Sequence, residues 1–290
     1  MKKIVLMLAF AALALSASAQ PGGPGFWGPR PETIQVWPDG APNAFTYDVS
    51  KDPHGDKYQE AILEIYPARN PNGRCIIICP GGGYAVLSMT HEGRDIRQWL
   101  NARGFTCCLL QYRMPRGHHD VPLSDVQQAM RIMRGRTDLG ITHIGVMGFS
   151  AGGHLACYAA TASDYSSDIR PDFQILVYPV TTMSTGTHAG SRTNFLGADA
   201  SNEEMMFYSN ELWVSADTPQ AFITYAKSET VVPPASNGKA FYNAMIKAGA
   251  KAELLELNGT KHGWHHGNAD HETAYLQPMK AKLTPWLQKL

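Results

Sequence analysis

Short runs of consecutive apolar residues alternate along the chain with segments whose apolar positions recur at helical spacing. The runs Cys75 to Cys79, Cys107 to Leu110, Ile144 to Gly148, Ile175 to Tyr178 and Ala221 to Tyr225 carry no alternation, which predicts central strands covered on both faces. Ala61 to Tyr66 alternates and predicts an early, half-exposed strand; Ala252 to Leu257 is mixed and belongs nearer an edge. Between the strands, Ile96, Trp99 and Leu100 mark one helix face, Val126, Ala129, Met130 and Met133 a second, and Phe241, Ala244, Met245 and Ala248 a third. Leu276, Met279, Leu283 and Leu287 continue the pattern near the C-terminus, where Pro278 and Pro285 are set to start or kink a helix. Strand alternating with helix predicts an α/β domain over residues 32–290, with a mostly parallel sheet and helices on both faces. No internal repeat or second domain is visible.

The amino-terminal pattern is of another kind. Lys2 and Lys3 precede an apolar stretch from Ile4 to Leu15 and the small residues Ala17-Ser18-Ala19, so residues 1–19 read as a secretory signal peptide cleaved after Ala19. The stretch is too short to stay in a bilayer as an anchor, and the expected destination is the periplasm or the medium. Residues 20–31, rich in proline and glycine, read as an unstructured tether.

With 44% hydrophobic and 17% charged residues in 290, the composition is that of a folded chain. Lysine and arginine total 25, as do aspartate and glutamate, so no net charge argues for nucleic acid or an anionic membrane as partner. All five cysteines, Cys75, Cys79, Cys107, Cys108 and Cys157, fall in apolar runs and read as small buried hydrophobes; the alternative is a bridge from Cys75 or Cys79 to a neighbouring strand.

Candidate chemistry starts at Gly148-Phe149-Ser150-Ala151-Gly152-Gly153, where an apolar strand gives way to the apolar helical segment Leu155 to Ala160. A serine on such a strand-to-helix turn projects Oγ above the sheet, and the amide of Ala151 faces any negative charge that develops there. Upstream, Cys79-Pro80-Gly81-Gly82-Gly83-Tyr84 follows a strand, so the amides of Gly82 and Gly83 are candidate oxyanion donors; a plain glycine turn is the alternative. Near the C-terminus, His262 in Gly259-Thr260-Lys261-His262-Gly263-Trp264 is the candidate general base. His265, His266 and His271 follow it, but no cysteine or paired carboxylate completes a metal set, and neither metal nor cofactor is expected. The loop after Ala221 to Tyr225 holds no aspartate, so Glu229 takes the position of the acid that orients the histidine. Asp217 is the rival, placed at the wrong end of that strand.

These blocks, with His91-Glu92-Gly93, Tyr112-Arg113-Met114-Pro115, Gly190 to Gly197 and Asp217-Thr218-Pro219, make the chain resemble the α/β-hydrolase superfamily, within it the esterases that include bacterial acetyl xylan esterases. The resemblance runs over about residues 34 to 290. It implies an α/β-hydrolase fold and a serine esterase acting through an acyl-enzyme on acetylated plant cell-wall carbohydrate, xylan or xylo-oligosaccharides. That family's acid loop usually reads Asp-Asp-x-x-Val-Pro, so Ser228-Glu229 departs from it where the catalytic aspartate would stand. A feruloyl or general short-chain carboxylesterase would share every catalytic residue, and a carbohydrate-binding relative that has lost catalysis is a reading from another class. A formamidase-like amidase fits less well, and an oligopeptidase would carry a large extra amino-terminal domain.

Tyr84 and Trp264 flank catalytic elements and are expected to wall a small acyl pocket. The long connection between Tyr178 and Ala221 is the expected substrate-facing insertion: His188, Arg192, Asn194, Phe195, Met205, Met206, Phe207, Tyr208 and Trp213 offer donors and rings to a sugar, unless the segment merely covers the sheet.

Overall fold

The computed structural model describes residues 30–48, 50, 57–162, 169–264 and 269–290. The expected signal peptide, and all but the last two residues of the expected tether, lie outside the described residues.

Eight strands form one sheet: β1 Glu32–Gln35, β2 Ile62–Tyr66, β3 Arg74–Cys79, β4 Thr106–Gln111, β5 His143–Phe149, β6 Phe173–Val177, β7 Ala221–Ala226 and β8 Ala252–Leu257. Their order across the sheet is β1-β2-β4-β3-β5-β6-β7-β8. The pairs β1 with β2 and β2 with β4 are antiparallel, and every later pair is parallel. Burial follows this order. β3, between β4 and β5, keeps Ile76, Ile77 and Ile78 wholly from solvent, and the mixed β8 is at the edge. The sequence pattern did not show β1, whose polar residues pair on one side only and stay largely exposed.

The helices are α1 Asp95–Asn101, α2 Asp120–Gly135, α3 Ser150–Thr161, α4 Ala189–Leu196, α5 Asn202–Phe207 and α6 Gly238–Lys247. At the C-terminal end, α7 Ala269–His271 runs through a π turn, Glu272–Leu276, into α8 Gln277–Gln288. Strand β7 shows how both faces are covered. Phe222 meets Trp286 of α8, whereas Tyr225, on the opposite side of the pleat, lies against Gly238 of α6. The stripes Val126, Ala129, Met130, Met133 on α2 and Met279, Leu283, Leu287 on α8 are all in the core.

All five cysteines are free and buried; Cys75 Sγ and Cys108 Sγ touch across β3 and β4 at 3.6 Å as thiols. A bridge from Cys75 or Cys79 is therefore not part of this fold. Among the described residues no helix is long and apolar enough to cross a membrane, and no group of three or more His, Cys, Asp or Glu side chains could hold a metal ion.

Candidate active site

Strand β5 delivers Phe149 in extended geometry, and the next residue reverses the chain: Ser150, the first residue of α3, has φ +51°. Such a conformation is strained for a residue with a side chain and persists because the surroundings dictate it. Gly152 shows the constraint, since a Cβ there would lie 2.1 Å from the carbonyl oxygen of Cys79. Only a bare backbone lets the first turn of α3 sit against the end of β3. Ala151, next after the serine, has one of the first helical amides, which lack a partner inside the helix.

The glycine loop after β3 closes on itself. Ala85 N and Val86 N both donate to Gly82 O at 3.1 Å, and Ser88 N donates to Gly81 O at 3.0 Å. Gly82 adopts φ +137°, and a Cβ there would meet Val86 O at 2.1 Å, so no other residue fits. From outside the loop, Tyr112 Oη donates to Pro80 O and Asn194 Nδ2 to Gly83 O, both at 2.8 Å. Gly82 and Gly83 thereby line the same cavity as Ser150 and His262, a space of about 420 Å³ whose other walls include Val86, Leu87, His188 and Val231.

His262 Nε2 is 2.8 Å from Ser150 Oγ, and its Nδ1 is 2.9 Å from Glu229 Oε1. The partners fix the tautomer: a carboxylate accepts the Nδ1 proton, which leaves Nε2 free to accept from the serine hydroxyl. Two loops hold this pair in register. Lys227 N donates to Leu257 O at 2.8 Å and Ser228 N to Gly259 O at 3.0 Å, so the loop carrying Glu229 is tied to the one carrying His262. Glu229 is buried, and burial lifts its carboxyl above the usual range while the bond to His262, its charge and the Val232 amide draw it back. Among the described residues its Oε2 is buried without a hydrogen-bond partner. Asp217 is elsewhere, exposed before β7 with its carbonyl bonded by Arg170.

The expected pocket walls are misplaced. Tyr84 turns into the core, where its hydroxyl meets His154 Nδ1 at 2.9 Å and its ring stacks on Phe195. Trp264 is equally buried, stacked on Tyr275 and edge-on to Tyr178. Neither lines the cavity; of its apolar walls, Val86 and Leu87 come from a segment that carried no motif, and Val231 is an unspecified position of the acid loop. Arg192, half-buried on α4, is not among the lining residues either. The insertion divides between the two roles considered for it. His188 reaches the cavity and Asn194 props the glycine loop, Phe195 and Tyr208 are packed inside, and Met206, Phe207 and Trp213 are exposed. His188 is held by Ser191, with Nδ1 2.9 Å from Ser191 Oγ; burial and the nearby His262 lower its pKa. His271 lies beside Tyr275, and His265 and His266 are outside the described residues.

Sequence reasoning missed the part played by Glu92. It sits in the π turn Thr90–Arg94 before α1, 4% exposed, where Oε2 accepts from Gly81 N and Oε1 from Tyr178 Oη, both at 2.7 Å. Its only signal was membership of the His91-Glu92-Gly93 block.

A family model described as the alpha/beta hydrolase fold matches residues 76–266. The chain belongs to the α/β hydrolases. This α/β hydrolase is 37% identical over 230 residues to an acetylxylan esterase of Xylanibacter ruminicola, a match covering 77% of this chain and 46% of that protein. It is 34% identical over 187 residues to endo-1,4-beta-xylanase B of Butyrivibrio fibrisolvens, covering 59% of this chain and 29% of that one. The chain thus spans half or less of these curated relatives. Among solved structures, an acetyl ester-xyloside bifunctional hydrolase from Caldicellulosiruptor lactoaceticus superposes with a TM-score of 0.75 at 28% identity, over 90% of this chain and 97% of that one. A thermophilic esterase of Thermogutta terrifontis with bound propionate shares the fold, with a TM-score of 0.66 at 21% identity over 90% and 94% of the two chains.

Proposed function

We propose that this α/β hydrolase is a serine carboxylic ester hydrolase that removes acetyl groups from xylan or xylo-oligosaccharides. The observation that carries the reading is the unbroken chain from Ser150 Oγ through His262 to Glu229 in a cavity shared with the Gly82 and Gly83 amides. In the first half-reaction Ser150 Oγ attacks the ester carbonyl while His262 Nε2 takes its proton, and Glu229 stabilises the imidazolium through Nδ1. The tetrahedral oxyanion is held by the amides of Gly82, Gly83 and Ala151, each contributing about 3 kcal/mol when aligned on it. Imidazolium then protonates the departing sugar oxygen as its bond to the acyl carbon breaks, releasing the sugar hydroxyl and leaving an acetyl-enzyme. In the second half, water attacks the acyl carbon, its proton passes to His262, and acetate leaves as Ser150 regains its hydrogen.

The geometry supports acyl transfer in general; the sugar is supported by the similarity to an acetylxylan esterase and to an acetyl ester-xyloside bifunctional hydrolase. Acetate release from acetylated xylo-oligosaccharides, run beside 4-nitrophenyl acetate and methyl ferulate, tests both parts. Release from the sugar by wild type and none by Ser150→Ala is the expected result. Turnover of the nitrophenyl ester alone would retain the mechanism and discard the sugar, and binding without turnover of any ester would return the chain to the carbohydrate-binding reading. Export under direction of residues 1–19 belongs to the same proposal, and a mature N-terminus at Gln20 is its expected mark.

A further inference from the structure

The cavity is lined by a buried carboxylate that the reaction just described does not use. Glu92 reaches both halves of the site through other residues. Its Oε2 takes the Gly81 amide at 2.7 Å, immediately before the candidate oxyanion donors Gly82 and Gly83. Its Oε1 takes the hydroxyl of Tyr178, whose ring packs edge-on against His262 with centroids 4.8 Å apart. Tyr178 is itself held at φ +37° directly after β6, a backbone conformation that persists only because its surroundings dictate it. The space around Glu92 is tight enough that a Cβ on Gly81 would lie 2.7 Å from Oε2.

We infer that Glu92 is a positioning residue of the esterase: it aims the oxyanion loop through Gly81 and braces His262 through Tyr178, and the reaction needs it as a carboxylate. The inference rests on the ester hydrolase reading above. A buried carboxyl with no role would be an expensive feature of a core, since burial penalises its charged form and raises its pKa. The compensating influences are the Tyr178 hydroxyl, the Gly81 amide and the charges of His262 and His91. His262 in turn faces Glu229, His188, Tyr178 and Glu92. An anion at Glu92 favours the imidazolium that forms when Ser150 gives up its proton. It also leaves Tyr178 no choice but to donate, which fixes the hydroxyl's direction.

The test uses Glu92→Gln, Tyr178→Phe and the double variant, assayed for kcat and KM against pH with 4-nitrophenyl acetate. Glutamine keeps the shape and an acceptor for Gly81 while removing the charge, and phenylalanine keeps the ring against His262. Glu92→Gln is expected to lower kcat about tenfold with KM changed less than about threefold, the signature of an interaction used in the transition state. The acid limb of kcat/KM moves to lower pH, because the imidazolium loses a neighbouring anion. Tyr178→Phe is expected to give a smaller loss of the same kind, and the double variant to fall short of the product of the two, since they share one path. Glu92→Asp, which restores charge with a shorter reach, should recover the pH limb but not the full kcat.

Wild-type kcat with an unmoved acid limb in Glu92→Gln would overturn the inference. Strict multiplicativity of the two single variants would overturn the path through Tyr178. If the glutamine variant melts far below wild type yet its folded fraction turns over normally, Glu92 is structural only and the inference fails. Failure of the underlying reading looks different: wild type itself would then hydrolyse no ester, whatever stands at position 92.

Discussion

Two histidines flank Ser150, one half-buried and one wholly buried, each hydrogen-bonded at both ring nitrogens, and only one is equipped to move a proton. His262 sits between the serine hydroxyl and the Glu229 carboxylate at the wall of a cavity. His154, one helical turn beyond Ser150 on α3, sits between Tyr84 Oη at 2.9 Å and the carbonyl of Tyr208 at 2.8 Å, wholly out of solvent. Their ring contacts are alike, since Tyr178 packs against the first as Phe195 does against the second. What separates them is the partner at the far nitrogen. A carboxylate offsets the charge of an imidazolium, whereas an uncharged hydroxyl and a carbonyl bring no charge to offset it in a buried site. Burial accordingly depresses His154 to about 4, the Tyr208 carbonyl notwithstanding. His154 is a cross-link joining α3 to the insertion, the same chemistry used for fastening.

Breaking the pair on the His262 side gives the largest effects. Ser150→Ala is expected to lower kcat by roughly five orders of magnitude and to abolish labelling by a fluorophosphonate, with the melting temperature little changed. Residual turnover within a hundredfold of wild type would place the nucleophile elsewhere.

Glu229→Gln comes next, at about a hundredfold or more in kcat, because the neutral amide stabilises imidazolium poorly. Stability should move the other way. The folded-state pKa of Glu229 is raised, so its ionised form opposes folding above the ordinary carboxylate range. Above that range the glutamine variant should melt no lower than wild type, and the difference should close as the pH falls through the raised pKa. A variant that melts lower at pH 8 would contradict this assignment of the strain.

His154→Gln sharpens the other side. Glutamine can donate to the Tyr208 carbonyl and accept from Tyr84, and kcat should stay within about threefold of wild type. The sign for His154 runs toward acid lability: its folded pKa of about 4 lies below the ordinary 6.5, so the unfolded chain binds the extra proton between those values. Acidification across that window removes about 3 kcal/mol of stability in wild type. The glutamine variant should lack this component, giving a flatter melting profile between pH 4 and 6.5.

Much of this was legible in one dimension. Central strands show as unbroken apolar runs because both faces are covered, and β3 to β7 lie within a residue or two of the spans so marked. Ser150, His262 and the glycine loop sit in motifs whose backbone demands are local, so spacing alone located them. Glu229 was marked by position, as the carboxylate in the loop after β7, and it meets His262 Nδ1 at 2.9 Å although the usual aspartate is missing. The failures share one cause. Adjacency in sequence does not set the direction of a side chain: at Tyr84, φ is +59° and the ring goes inward, although its neighbour Gly83 faces the cavity. Glu92 was obscure for the converse reason, being far in sequence from Tyr178 and meeting it only when the π turn before α1 comes against the residue that follows β6.

The free thiols give the molecule its own timing device. Cys75 and Cys79 are on β3, Cys107 and Cys108 on β4 and Cys157 on α3, and none is reachable from solvent. A thiol reagent added to the native protein can react only during excursions that part these elements, so the order and pace of modification resolve how the sheet's middle and the helix bearing Ser150 breathe. If β3 and β4 open together, their four sulfurs will be consumed in one phase; if α3 lifts first, Cys157 will go alone, and with it the backbone that holds Ser150 will have been seen to move.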